Sequence, residues 1–147
     1  MNRISLSLPT DLQFLGVPDA VLLEIGGDME CCTRGLEDLG SAVIEACTNA
    51  MEHGNALSDQ KTIEVIFEIE EESVTVTVLD EGPGFDFEGW RPSEDLMRQR
   101  GRGILIMREF CDTVLFGRHP DGRFMIRLTK LMKPAAESAE DPAGGDS

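Results

Sequence analysis

Apolar and polar residues alternate in several short stretches of the chain, as they do in strands that bury one face. The first stretch runs from Arg3 to Leu8, where Ile4, Leu6 and Leu8 share one side. Two further stretches, Thr62 to Ile69 and Ser73 to Asp80, are joined by an acidic run, which predicts a hairpin. Near the end of the pattern, Asp112 to Phe116 and Phe124 to Leu128 predict a last pair of strands.

Helical spacing is clearest from Leu36 to His53, where apolar residues recur at steps of three and four and form a buried stripe. A shorter helix is predicted from Pro18 through Ile25, because proline fits the first turn of a helix. A third helix is predicted over Ile104 to Cys111. Between Phe85 and Arg102 the pattern has no clean period, so we predict a long loop of the kind that often has a function.

This order of elements predicts an α+β fold, a two-layer sandwich of a mixed, mostly antiparallel sheet packed on helices. All of the predicted elements fall within residues 1–132 of the 147-residue chain, which indicates one domain. Residues 133–147 consist largely of alanine, glycine, proline and acidic residues, and we predict an acidic, disordered tail there.

Charge and cysteine content narrow the function classes. The formal net charge of −15 repels phosphate backbones, so direct binding of nucleic acid is not expected. The four cysteines form no CxxC motif and His53 and His119 stand far apart, so a structural zinc site is not expected. No stretch approaches the roughly 18 apolar residues of a membrane helix. We expect a cytoplasmic protein with reduced thiols and no membrane partner.

The first candidate site lies on the long predicted helix, where Glu45, Asn49 and His53 are four residues apart and share one face. Asn49 offers a neutral oxygen that can join a magnesium ion already bound to phosphates. Glu45, one turn earlier, could accept the proton of an attacking serine or threonine hydroxyl. Taken alone, these residues also fit the polar face of a surface helix.

Two glycine-containing segments follow in the sequence. In DEGPGFD, the carboxylate of Asp80 ends a strand and suits an exocyclic amine such as that of adenine, while Gly82 and Gly84 allow a ligand to approach the backbone. Neither the carboxylate at the end of a strand nor the glycine-rich turn is specific for a nucleotide site by itself.

The second segment is Arg100 to Gly103, directly before the third predicted helix. Glycines in that position leave free N–H groups and a positive dipole end for phosphate, and Arg100 and Arg102 add positive charge. The segment matches neither the P-loop nor the dinucleotide fingerprint.

In combination the three segments resemble the ATP site of the GHKL superfamily, which includes gyrase, histidine-kinase catalytic domains and heat-shock chaperones. The stretches EACTNAMEHGN, DEGPGFDF, GRGILIMREF and FMIRLTKLM resemble, more narrowly, the stand-alone anti-sigma-factor serine kinases. This resemblance covers roughly residues 3–132.

The resemblance implies roles for these residues. Glu45 would be the catalytic base, Asn49 would hold Mg²⁺, and Asp80 would bind the adenine amine with Gly82 and Gly84 beneath it. Gly101 and Gly103 would border the phosphates of ATP, and His53, Arg100 and Arg102 are included in the expected nucleotide site. Arg102 departs from the family, which more often has a small or apolar residue there.

The family also implies partners. Its members phosphorylate a serine of an anti-anti-sigma protein of the STAS fold, sequester a sigma factor, and commonly form homodimers. Two alternatives remain open at this point: a module that holds ATP and acts by docking to a regulator, and a switch kinase that acts without sequestering a sigma factor.

Overall fold

The computed structural model describes residues 1–26, 33–83, 87–88, 91–92 and 94–132, so the predicted tail and Gly84 lie outside the described residues. The elements in chain order are β1 (Asn2–Pro9), α1 (Gly16–Gly26), α2 (Thr33–Asn49), β2 (Thr62–Ile69), β3 (Ser73–Asp80), β4 (Phe87–Glu88), β5 (Arg91–Pro92), α3 (Glu94–Phe110), β6 (Thr113–Arg118) and β7 (Phe124–Leu131). A short 3₁₀ turn precedes α1, and a single π-helical turn, Ala50–Gly54, continues α2.

Five strands form one sheet in the order β1-β2-β3-β7-β6, and β4 pairs with β5 in a separate two-stranded ribbon. The predicted α+β sandwich is therefore confirmed. Every described pairing in the five-stranded sheet is antiparallel, so the sheet lacks the parallel component that the term mixed allowed. Short hairpins connect β2 to β3 and β6 to β7, whereas α1 and α2 lie between β1 and β2, and α3 lies between β3 and β6.

The core lies between one face of the sheet and α2. Val65 opposes Val78 across the β2–β3 pair, and Val78 opposes Ile126 across the β3–β7 pair, so these buried side chains share the inner face. From α2, Leu39 and Val43 pack into the same cluster without exposed surface. Burial of each such side chain contributes about 1.5–3 kcal/mol, which makes this layer the main source of stability.

The third helix is longer than the sequence pattern predicts. It begins at Glu94 instead of Ile104, so the predicted loop over Phe85 to Arg102 was wrong in its second half. The residues from Glu94 onward are strong helix formers with acidic side chains at the start, and this local propensity forms the helix without a clear apolar stripe. As a result, Gly101 and Gly103 lie inside α3 and not before it.

Helix α2 contacts α1, α3 and β7, and its C-terminal turn reaches the end of β3. This position places the polar residues of α2 beside both glycine-containing segments. Within the described part of the chain, no helix has the length and apolar character needed to cross a bilayer.

Candidate functional site

Asp80 occupies the last position of β3 and is only 3% exposed. Its Oδ1 accepts a hydrogen bond of 2.8 Å from the backbone N–H of Gly82, which holds the carboxylate against the loop that follows the strand. A buried carboxylate costs free energy unless such donors satisfy it, so this bond helps to keep Asp80 in place.

The carboxylate of Asp80 also lies directly against the backbone of the π turn. A Cβ atom added to Gly54 would overlap the Asp80 carboxylate, and one added to Gly82 would overlap the backbone carbonyl of Gly54. The glycines at these positions therefore permit a close approach that any side chain would prevent. Together the three residues form a narrow cradle between the π turn and β3.

Asn55 ties this cradle to the rest of the fold. Its fully buried side chain donates from Nδ2 to Thr10 Oγ1 at 2.9 Å and to the Thr62 carbonyl at 3.0 Å. Its Oδ1 accepts from the backbone N–H of Glu81 at 2.8 Å. The sequence did not predict a place in the site for Asn55, because its partners Thr10, Thr62 and Glu81 come from other segments of the chain.

At the other end of the site, Glu45 is half-buried and Asn49 is 9% exposed, and both point toward α3. A Cβ atom built on Gly103 would lie 2.9 Å from Glu45 Oε1 and 3.7 Å from Asn49 Nδ2. The structure thus brings the predicted acid and the predicted amide together with one predicted glycine, which lies more than fifty positions after them in the sequence.

The amide of Asn49 has an unusual environment. Among the described residues, its Nδ2 is the buried side-chain atom that has no hydrogen-bond partner. An unsatisfied buried polar group costs about 1–3 kcal/mol, so a fold retains one where a ligand completes it. The unpaired N–H donor suits an acceptor such as a phosphate oxygen, and a half-turn of the amide would present its oxygen to a cation. With the glycine cradle at Asp80, this environment fits a site that takes a nucleotide and a cation.

The remaining predicted residues are placed less centrally. His53 lies in the π turn, and its side chain is exposed. Arg102 is exposed, whereas Gly101 is buried. The side chain of Arg100 and all of Gly84 lie outside the described residues, so their expected roles stay predictions.

Metal ligands and nucleophiles of other kinds are few in this region. In the described ranges, no group of three or more His, Cys, Asp or Glu side chains could hold a metal ion by itself. Burial raises the pKa of the Cys47 and Cys111 thiols to about 12, so both remain protonated at neutral pH. Magnesium bound mainly through phosphates needs only one or two protein oxygens, and Asn49 can provide one.

The two ends of the site suit one elongated ligand. Glu45 precedes Gly54 by nine positions, and an α-helix would rise by about 13 Å over that length; the π turn at Ala50–Gly54 makes the rise somewhat shorter. A ligand lying along this face of α2 would meet the Asp80 carboxylate at one end and the Glu45–Asn49 pair at the other. A nucleoside triphosphate has that arrangement, with a base at one end and phosphates at the other.

Curated relatives of similar length support the same assignment. The chain is 29% identical over 123 residues to the serine-protein kinase RsbW of Bacillus velezensis, covering 78% of this chain and 77% of the relative. It is also 29% identical over 127 residues to RsbW of Bacillus subtilis, covering 80% and 79%.

Solved structures show the same fold. One contains the RsbU and RsbW domains of a Mycobacterium tuberculosis protein, with a TM-score of 0.64 at 20% identity over 91% of this chain and 34% of that chain. Another is the SiaB–SiaC complex of Pseudomonas aeruginosa, with a TM-score of 0.58 at 13% identity over 87% of this chain and 89% of that chain.

A family model described as a histidine kinase-like ATPase domain matches residues 19–130, which include both ends of the site. The match covers most of the chain and confirms the resemblance to the GHKL superfamily. The protein belongs to the histidine kinase-like ATPase domain family.

Proposed function

We propose that the protein is an ATP-dependent serine kinase that phosphorylates a STAS-type anti-anti-sigma factor and that, as a homodimer, also sequesters a sigma factor. The observation that carries this proposal is the meeting of Glu45, Asn49 and Gly103, with an unsatisfied amide on Asn49. Membership of an ATPase family and relatives that are named serine-protein kinases support it.

Glu45 is the proposed general base. Its carboxylate is half-buried and faces α3, so it can accept the proton of a serine hydroxyl as the hydroxyl oxygen attacks the terminal phosphate. General-base assistance of this kind contributes about 10²–10⁴-fold to a rate. Asn49, one turn later, would hold Mg²⁺ through its amide oxygen after a half-turn of the side-chain amide. When bound, Mg²⁺ neutralises the charge on the phosphates.

Asp80 is the proposed recognition group for the base. A carboxylate is an acceptor only, so it can take a hydrogen bond from the 6-amino group of adenine. One oxygen already accepts from Gly82, and a carboxylate has further lone pairs for the ligand. Because Asp80 is buried, an amine that pairs with it would be strongly preferred over a carbonyl.

The phosphate contacts expected of Gly101 and Gly103 require a change in α3. Their backbone N–H groups lie inside the helix, where they donate to carbonyls four residues earlier. Each glycine lowers the stability of a helix interior by about 1 kcal/mol relative to alanine, so α3 is weakest at this point. We propose that α3 opens as far as Gly103 when ATP binds.

The test is phosphate transfer to a protein. The purified protein is incubated with γ-labelled ATP, Mg²⁺ and the STAS-domain protein encoded beside it, or captured with it from the native cell. We expect label on one serine of that partner and none on a variant in which this serine is alanine. ATP binding without transfer to any such partner would favour the docking module instead.

A further inference from the structure

The loop after β3 is fixed to the fold by two hydrogen bonds at successive residues. The backbone N–H of Glu81 donates to Asn55 Oδ1 at 2.8 Å, and the backbone N–H of Gly82 donates to Asp80 Oδ1 at 2.8 Å. The first bond sets where the loop lies, and the second connects the Asp80 carboxylate to that loop. The position of the carboxylate therefore depends on Asn55, although the two side chains serve different purposes.

We propose that Asn55 is a positioning residue that determines the preference of the site for adenine over guanine. The inference rests on the proposed role of Asp80 in the nucleotide site. Asn55 has no contact with the ligand in this account; it acts through Glu81 and Gly82 on the carboxylate. Adenine presents a 6-amino donor to that carboxylate, whereas guanine presents a carbonyl oxygen that would leave it unpaired and repelled.

The side chain at position 55 has to be an amide for this purpose. Asn55 uses both hydrogens of Nδ2, toward Thr10 Oγ1 and the Thr62 carbonyl, and uses Oδ1 for Glu81. An aspartate is an acceptor only and would lose both Nδ2 bonds, and an apolar residue would lose all three. A buried network with every member satisfied specifies one arrangement, which is what precise recognition requires.

The neighbouring contacts strengthen the connection. Thr10 Oγ1 donates in turn to the Lys61 carbonyl at 2.6 Å, and Glu81 Oε2 accepts from the Thr62 N–H at 2.8 Å. These bonds hold Lys61 to the end of β1 and Thr62, the first residue of β2, to the loop after β3. Since Gly54 directly precedes Asn55 and lies against Asp80, a shift of Asn55 would also move the wall of the cradle.

The experiment compares base selectivity in the full chain. Affinities for ATP and GTP are measured by calorimetry in the wild type, in Asn55→Asp and in Asn55→Ala. We expect the ATP affinity to fall by about tenfold, as for one lost hydrogen bond, with GTP little changed, so that the ATP-to-GTP ratio collapses. Transfer at saturating ATP should stay within about threefold of wild type, because Glu45 and Asn49 are untouched.

The matched control is Val74→Ala, which removes buried side-chain volume at the opposite end of β3. It should lower the melting temperature without changing the ATP-to-GTP ratio. If the Asn55 variants lower the melting temperature equally and keep the wild-type ratio, Asn55 is purely structural and the inference is overturned. A wild type that binds neither nucleotide would instead overturn the proposed function.

A milder variant covers the case in which the Asn55 variants do not fold. Thr10→Val removes one acceptor of Asn55 and should weaken selectivity in the same direction, while faster amide exchange at Glu81 in the nucleotide-free protein reports the loosened loop. Loosening of the Glu81 amide with an unchanged ATP-to-GTP ratio would overturn the inference.

Discussion

Gly103 in α3 faces the carboxylate of Glu45 in α2 so closely that a methyl group on Gly103 would lie 2.9 Å from Glu45 Oε1. Carbon and carboxylate oxygen do not ordinarily approach to this distance, so one of the two would have to move. The free end of a glutamate moves more easily than two packed helices. The contact therefore links a change at Gly103 to the position of the proposed base.

The substitution Gly103→Ala should slow phosphate transfer without lowering the stability of the fold. Alanine favours a helix interior by about 1 kcal/mol over glycine, so the melting temperature is expected to stay the same or rise. Transfer of phosphate should nevertheless fall by about tenfold or more, since displacing a catalytic group by about 1 Å can cost about 10²-fold in rate. Thermal unfolding and a transfer assay on the same samples check both expectations.

The matched control is Gly16→Ala, because a Cβ atom at Gly16 meets nothing within 4 Å. That variant should transfer phosphate at the wild-type rate. A Gly103→Ala protein with undiminished transfer would show that the Gly103–Glu45 contact has no part in catalysis.

Opening of α3 is a second prediction. On addition of Mg²⁺ and ATP, Cα chemical shifts for residues 97–103 should move from helical toward non-helical values, while those of residues 104–110 stay helical. The second set is the internal control, since it includes Ile104 and Met107, which anchor α3 in the core. Helical shifts throughout α3 with nucleotide bound would contradict the proposed phosphate contacts of Gly101 and Gly103.

A third prediction concerns Asn49. Because its Nδ2 has no partner, Asn49→Ala should change the free energy of unfolding by less than about 1 kcal/mol. The Mg²⁺-dependent part of the ATP affinity should be lost, and Asn49→Asp, which keeps a ligand oxygen, should retain it. Calorimetric titrations with and without Mg²⁺ measure this difference.

Thr48→Ala is the control for that experiment. The Thr48 hydroxyl donates to the Ile44 carbonyl at 2.7 Å within the same helix, so its loss perturbs α2 locally. We expect the ATP affinity of Thr48→Ala to depend on Mg²⁺ as strongly as that of the wild type does. An Asn49→Ala protein that shows the same Mg²⁺ dependence would remove Asn49 from the cation site.

Much of the fold could be predicted from the sequence because its strands alternate cleanly. The predicted ranges Thr62 to Ile69 and Ser73 to Asp80 agree with β2 and β3 at both ends. The start of α3 could not be predicted in this way, since the residues from Glu94 form a helix through propensity and not through an apolar stripe. Hydrophobic periodicity predicts a helix that buries an apolar face, and it does not predict a helical segment that lacks such a face.

The candidate site was predictable only in part, for a similar reason. Spacing within one helix placed Glu45 and Asn49 on one face, and the structure agrees. The spacing did not predict the π turn at Ala50–Gly54, in which His53 lies, and the expected place of His53 in the nucleotide site stays a prediction. The role of Asn55 depends on partners at the end of β1, at the start of β2 and in the loop after β3, and such a combination of contacts follows from tertiary packing and not from local sequence.

Stability at high pH gives a fourth prediction. Burial raises the pKa of Cys47 from 9.0 to about 12, so the folded state favours the protonated thiol. The stabilisation is complete below about pH 9 and is lost as the pH rises toward 12. At about pH 10.5 the loss is on the order of 2 kcal/mol for this group.

Urea unfolding at several pH values measures this loss. Cys47→Ala should show a shallower decline between pH 9 and 12, the range between the usual and the folded pKa, than the wild type does. Equal declines in the two proteins would mean that Cys47 ionises in the folded state as easily as in the unfolded one.

The central claim is that Glu45 acts as the general base and that the site does not need the Glu45 carboxylate in order to bind ATP. The most direct measurement is the ATP affinity and the transfer rate of Glu45→Gln, a variant that keeps the shape of the side chain and removes its basicity. We expect an ATP affinity within about threefold of the wild type and a transfer rate lower by about 10²-fold or more. Transfer at the wild-type rate, or loss of ATP binding together with transfer, would contradict the account.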